Sequence, residues 1–146
     1  MTKGSLLYKW YKAEKYQPYS DSVLQKLIID CKAVVPKYVR IIRLIRDIPE
    51  ESIIAGNKIT NLRQVMQQRG VKCNCIRCRE VKDGKIGAAK INILKYPASG
   101  GTEYFISADS LDGKVLYGFC RLRIDANSPI APAIIRELHV YGELVP

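Results

Sequence analysis

Lys72-Cys73-Asn74-Cys75-Ile76-Arg77-Cys78-Arg79-Glu80 places three of the five cysteines of the chain within six residues, as C-x-C-x-x-C. Thiolates at this spacing converge on one point when the backbone turns. A soft, tetrahedral ion such as zinc is what three convergent sulfurs hold best. A closed structural site needs a fourth ligand, and Cys31, Cys120 and the single histidine, His139, are the candidates elsewhere. The competing reading is a redox pair or an inert thiol cluster. No secretory signal favours disulfides, which weighs toward the metal.

Upstream of the cysteines the pattern is helical. Ser20-Asp21-Ser22 offers N-cap candidates, and Val23, Leu24, Leu27, Ile28, Cys31 and Val35 recur at helical spacing until Pro36, which predicts an amphipathic helix over 21–34. Cys31 lies on its apolar stripe and reads as core. Residues 1–19, where lysines alternate with Tyr8, Trp10, Tyr11 and Tyr16 before Pro18, read as a short helical turn and an extended tail. Residues 38–45 are rich in β-branched side chains and bounded by Pro36 and Pro49, which predicts a strand running into a loop at Arg46-Asp47. That helix-then-strand order suggests an αβ unit of a larger α/β sheet, with Arg46 and Asp47 either at a strand-end site or in a loop ion pair. Thr60 or Asn61 caps a short helix through Leu62, Val65 and Met66, and Gly70 sits where a C′ residue must accept positive φ. This helix leads directly into the cysteines.

Downstream the period changes to that of strands. Strand patterns cover 91–96, 102–108, 115–124 and 134–141, separated by Gly100-Gly101, Asp112-Gly113 and the prolines Pro129 and Pro132. Asp112-Gly113 is a hairpin signal, and the whole reads as an antiparallel meander. The loop-like stretch 81–90 places a boundary between two lobes near Lys85. There is no internal repeat, Gly-rich phosphate loop or nucleophile elbow.

A chain of 146 residues holds one domain with a real core, or two small lobes. It has no run approaching the ~20 apolar residues of a membrane span and no secretory h-region, so it reads as soluble, intracellular and cytoplasmic. Residues 1–80 carry 16 Lys/Arg against 7 Asp/Glu, and residues 81–146 carry 8 against 7, so the first part holds +9 of the +10 formal charge. A basic surplus interleaved with Tyr8, Trp10, Tyr11, Tyr16, Tyr19 and Tyr38 suits a phosphate backbone and stacked bases, and equally a solvated basic face with half-buried tyrosines. Lys37, Arg40, Arg43 and Arg46 are the candidate RNA contacts.

Several blocks stand in order: Pro36-Lys37-Tyr38-Val39-Arg40-Ile41, Arg46-Asp47-Ile48-Pro49, Asn61-Leu62-Arg63, the cysteine stretch, Gly100-Gly101-Thr102-Glu103-Tyr104-Phe105, Gly118-Phe119-Cys120-Arg121-Leu122-Arg123 and Arg136-Glu137-Leu138-His139-Val140-Tyr141-Gly142. Together they resemble the catalytic subunit of Elongator, a tRNA-modifying family that joins a radical S-adenosylmethionine domain to a GNAT-type acetyltransferase domain. The resemblance covers nearly the whole chain. It implies an α/β fold class in three parts. Residues 1–70 would be the tail of the radical domain, 71–85 a zinc knuckle linker with Cys73, Cys75 and Cys78 as ligands, and 86–146 the opening antiparallel strands of an α+β GNAT domain. His139 and Tyr141, two apart in a strand and so on one face, would lie near acetyl-CoA, although a satisfied core histidine is the plainer reading of His139.

The resemblance further implies, for the intact enzyme, acetyl-CoA, S-adenosylmethionine and a 4Fe–4S cluster as cofactors, and tRNA as partner. No cysteine precedes Cys31 to hold such a cluster, and the sequence stops at Pro146, before a Gly-rich pyrophosphate turn. The expectation is therefore an internal fragment, inactive alone, that assembles with a complementary chain. Its function would be part of the installation of a carboxymethyl-type group on the wobble uridine of tRNA. The alternative is a non-catalytic zinc-knuckle module that binds RNA or a protein partner.

Overall fold

A computed structural model describes residues 1–45, 48–59, 61–82 and 86–142. The chain forms two compact units, one made of Met1–Val35 with Ile41–Cys73 and the other of Pro36–Arg40 with Asn74–Pro146. Thr60, Arg46, Asp47 and the boundary expected at Lys85 lie outside the described residues.

The first unit is helical. Helix α1 (Leu6–Lys12) starts where the Ser5 hydroxyl accepts from the Tyr8 N–H at 3.1 Å. Helix α2 (Asp21–Val34) matches the predicted span, with the Ser20 hydroxyl accepting from the Val23 N–H at 3.3 Å. A 3-10 turn (Glu50–Ser52) and helix α3 (Leu62–Gln68) follow, and Gly70 adopts φ +72° beyond the end of α3. Asn61 occupies the N-cap position of α3 without a side-chain bond. Ile28, Leu62 and Met66 are the buried core, with Leu24, Leu44, Ile45, Ile59 and Val71 packed around them. Cys31 does not belong to it. It is exposed, because the inward side of α2 is the one that carries Ile28 and Lys32.

Residues 38–45 form no strand, which corrects the reading of their β-branched composition. A strand needs a neighbour that takes up its backbone groups in sequence. Here those groups are satisfied one by one: the Val39 carbonyl accepts from the Ile76 N–H at 2.9 Å, and the Ile41 carbonyl accepts from the Arg63 guanidinium at 2.7 Å. Among its described residues the first unit contains helices and no strand, so the αβ order is not realised there.

The second unit is the predicted meander. After helix α4 (Ile76–Arg79), strands β1 (Ala89–Ala98), β2 (Gly101–Ser110), β3 (Leu116–Ile124) and β4 (Ala133–Val140) form one antiparallel sheet in the order β1-β2-β3-β4. Strand β2 alternates strictly: Glu103, Phe105, Ser107 and Asp109 are buried, and the residues between them are half-buried. Phe105 meets Ile76, Leu116 and Phe119 in the core, with Tyr38, Tyr96 and Tyr141 against it. Each such large side chain contributes roughly 1.5–3 kcal/mol on burial. The opposite face carries Ile91, Ile93, Leu138 and Val140, all exposed. A Cβ at Gly118 would stand 2.8 Å from the His139 carbonyl oxygen, so the close pairing of β3 with β4 requires glycine there.

The β2–β3 hairpin turns on Asp112, as the Asp-Gly pair predicts. The carboxylate accepts from the Ser110 hydroxyl at 2.7 Å and the Lys114 N–H at 3.1 Å, which together hold its pKa well below the usual value, at about 2. A depressed carboxylate pKa favours the folded turn above the unfolded value near 4 and loses that contribution as pH falls through the folded one. An NMR titration should therefore place Asp112 about two units below an unstructured aspartate, and Asp112→Asn should remove the loss of turn order between pH 4 and 2.

Candidate metal centre

The cysteine stretch turns as its spacing requires. Cys75 is the N-cap of α4, with φ −63° and ψ 154°, and its carbonyl accepts from the N–H groups of Cys78 at 3.0 Å and Arg79 at 3.3 Å. The turn brings the Sγ atoms of Cys73, Cys75 and Cys78 within 4.8 Å of one another, with Cys75 buried and the other two half-buried. Zinc about 2.3 Å from each of three tetrahedrally placed sulfurs would set them roughly 3.8 Å apart, so the donor set fits a soft ion with little closure. Among the described residues the group comprises these three alone. Of the fourth-ligand candidates, Cys31 is on α2, Cys120 is in β3, and His139 in β4 stacks on Phe119 at 5.0 Å.

Arg79 ties this turn to the sheet. Its Nε donates to the Asn74 carbonyl at 2.9 Å, Nη2 to the Lys37 carbonyl at 3.1 Å, and Nη1 to Asp109 Oδ1 at 2.5 Å. The other oxygen of Asp109 accepts from the Ser107 hydroxyl at 2.7 Å and the Asn92 amide at 2.8 Å. Both ends of the pair are essentially dry, with side-chain exposures of 3% and 0%. Sequence reasoning missed both residues. Their signal was a charged residue at the inward register of an otherwise alternating strand, opposite a basic residue beside the cysteines.

The proposed RNA contacts do not form one group. Lys37 and Arg40 belong to the second unit and Arg43 to the first, where it is exposed, and Arg46 lies outside the described residues. Arg40 Nη1 donates to the Tyr141 hydroxyl at 2.9 Å and pairs with Glu80 at 3.1 Å. Burial works against the Arg40 charge, yet Glu80 and Tyr141 outweigh it and raise its pKa, while burial pushes the Tyr141 hydroxyl up.

His139 and Tyr141 do share a face, both reaching Phe119, with ring centroids 5.0 and 6.3 Å from it. His139 is nevertheless exposed, not a core histidine, because β4 is an edge strand with most of its side chains in solvent. On the other side of the sheet, Ile86, Ile91, Ile106, Cys120, Leu138 and Val140 line an apolar groove of about 310 Å³.

A helical unit followed by a cysteine turn and an antiparallel sheet defines a two-part chain whose first part matches the Radical_SAM C-terminal domain family over residues 1–70. Across 97% of its length the chain is 42% identical to the tRNA uridine(34) acetyltransferase of Dehalococcoides mccartyi, covering 34% of that protein. It is 35% identical over 99% of its length to the Elongator complex protein 3 of Schizosaccharomyces pombe, covering 30% of it. The solved structure of the archaeal Methanocaldococcus infernus Elp3 with an N-terminal deletion superposes with a TM-score of 0.81 at 35% identity, over 97% of this chain and 37% of that one. Over nearly its whole length the chain is homologous to the tRNA uridine(34) acetyltransferases and Elongator complex protein 3, and it spans about a third of the length of the relatives it matches.

Removing one partner of the dry ion pair leaves the other charge buried and uncompensated. Asp109→Ala should destabilise the second unit by about 3–5 kcal/mol, read as a lower denaturant midpoint, whereas Lys26→Ala, which breaks the exposed pair with Asp30, should cost less than about 1 kcal/mol.

Proposed function

We propose that this chain serves a tRNA-modifying enzyme that installs a carboxymethyl-type group on the wobble uridine, with acetyl-CoA as acetyl donor. The observation that carries this reading is the 42% identity over 97% of the chain to a tRNA uridine(34) acetyltransferase. Residues 1–70 act as the tail of the radical S-adenosylmethionine domain, 71–85 as a zinc linker, and 86–146 as the first strands of a GNAT-type acetyltransferase domain. The four-stranded antiparallel sheet supports the last assignment, and in this reading His139 and Tyr141, stacked with Phe119 on one face, lie near acetyl-CoA. The 4Fe–4S cluster and S-adenosylmethionine belong to the part of the enzyme this chain does not span, since its cysteines offer no donor triad besides the one at 73–78. Val23, Leu27 and Val34, exposed along α2, leave an apolar face for that remainder, supplied by the same polypeptide or by a complementary chain. No helix among the described residues is long and apolar enough to cross a membrane.

Zinc at Cys73, Cys75 and Cys78 is the structural part of this reading. Purified protein with reduced thiols should carry close to one equivalent of zinc by metal analysis, and Cys75→Ser should lose it and expose the chain to protease near Glu80. A content well below one equivalent would sink the assignment.

Binding of tRNA is the functional part. Exposed Lys9, Lys12, Trp10, Tyr19 and Arg43 of the first unit offer basic and aromatic side chains to phosphates and bases, and Lys37 of the second unit offers a further charge. Affinity for tRNA, measured by filter binding, should fall with salt, and Lys37→Glu with Arg43→Glu should reduce the salt slope by about 2. Arg40→Glu should register instead as lost stability, through its contacts with Glu80 and Tyr141. Salt-independent binding, or binding of unrelated RNA with equal affinity, would favour the zinc-knuckle module that recognises RNA without catalysis.

A further inference from the structure

The geometry points to Arg79 as a positioning residue for the metal, acting through the peptide of Asn74 and held in place by Asp109 on β2; this rests on the metal reading above. The three sulfurs are not positioned in the same way. Cys75 and Cys78 are set by a helical turn, in which the Cys75 carbonyl takes the Cys78 N–H at 3.0 Å. That turn is anchored by the Ile76 N–H on the Val39 carbonyl at 2.9 Å and by the Ile76 side chain in the sheet core. Cys73 stands before the turn, and the peptide that joins it to Cys75 is that of Asn74. Rotation of this peptide moves one sulfur relative to the other two. The guanidinium of Arg79 holds the Asn74 carbonyl at 2.9 Å while its other nitrogens hold Asp109 and the Lys37 carbonyl, so a single rigid plane fixes the link.

Three features make the device specific to arginine. Its fork serves three acceptors in one plane, which a lysine ammonium on a flexible stem does not reproduce. The guanidinium is dry, so water does not take over a lost contact. Asp109 is itself oriented by Ser107 and Asn92, which makes the sheet the reference against which the cysteines are placed. Asp109 is 31 residues beyond Cys78 and makes no bond to a sulfur, yet the metal geometry depends on it. Partners of this kind typically account for 10–100-fold in metal affinity.

The test uses cobalt(II), whose ligand-field absorption reports tetrahedral thiolate geometry, followed by displacement with zinc. Two variants of the full chain are compared with wild type: Arg79→Lys, which keeps the charge, and the pair Arg79→Met with Asp109→Asn, which leaves no unpaired buried charge. Amide hydrogen exchange in β2 and β3 reports whether the sheet is intact. Both variants should bind cobalt and zinc at least about tenfold more weakly and show an altered cobalt spectrum, with the sheet amides still protected. Wild-type affinity and spectrum in a variant with a protected sheet would overturn the proposal while leaving the metal assignment standing. Loss of sheet protection together with metal in both variants would also overturn it, since the pair would then support only the sheet. Wild-type protein that takes up neither metal would overturn the metal reading itself, and the positioning role with it.

Discussion

Two carboxylates buried on one face of β2 impose the strongest constraint on the second unit. Glu103 and Asp109 are 1% and 0% exposed, and an ionised carboxylate in that setting is costly unless cations meet it. The chain supplies them from several elements. Arg79 reaches Asp109 from α4, and Arg136 of β4 and Arg123 of β3 approach Glu103 at 2.6 and 3.7 Å. Because side chains alternate along a strand, a slip of one residue would carry both acids to the other face and strand every arginine that answers them. The ion pairs therefore specify register, while Phe105, Leu116 and Phe119 between them provide the hydrophobic free energy.

The same constraint divides the basic residues into two groups with different uses. Arg79, Arg121 and Arg123 are held inside the second unit by carboxylates, carbonyls and the Tyr96 hydroxyl. Their charge is balanced locally and is not offered to a polyanion. The lysines of α1 and those nearby are exposed, beside Trp10 and Tyr19, so the formal surplus of residues 1–80 survives as surface charge mainly on the helical unit. The placement of that charge follows from where the partners are rather than from the total charge.

The cysteine turn stands where the chain passes from one unit to the other, between Cys73 and Asn74. Its local geometry is short-range, a helical turn started by Cys75, whereas its anchoring is long-range, through Ile76 in the core and Arg79 on Asp109. A metal bound here would constrain the turn itself, whose Ile76 packs in the small core of Phe105, Leu116 and Phe119. Small cores are the situation in which a bound ion contributes most to folding.

Much of this architecture was legible in the residues alone. The span of α2, the four strands and their meander, the Asp112-Gly113 turn, the positive φ at Gly70 and the convergence of three thiols all follow from periodicity, capping and turn chemistry, which act over a few residues and leave a local mark. What tertiary structure decided depends on partners far along the chain. Residues 38–45 have the composition of a strand and no strand to pair with, so other groups take up their backbone. Cys31 and His139 have apolar neighbours in sequence yet are exposed, because burial is set by which elements pack and not by the pattern of one. Arg79 and Asp109 are 30 residues apart, and nothing in either segment alone shows that a buried charge in one is answered by the other. Local forces chose the elements; the need to satisfy buried polar groups chose how they are joined.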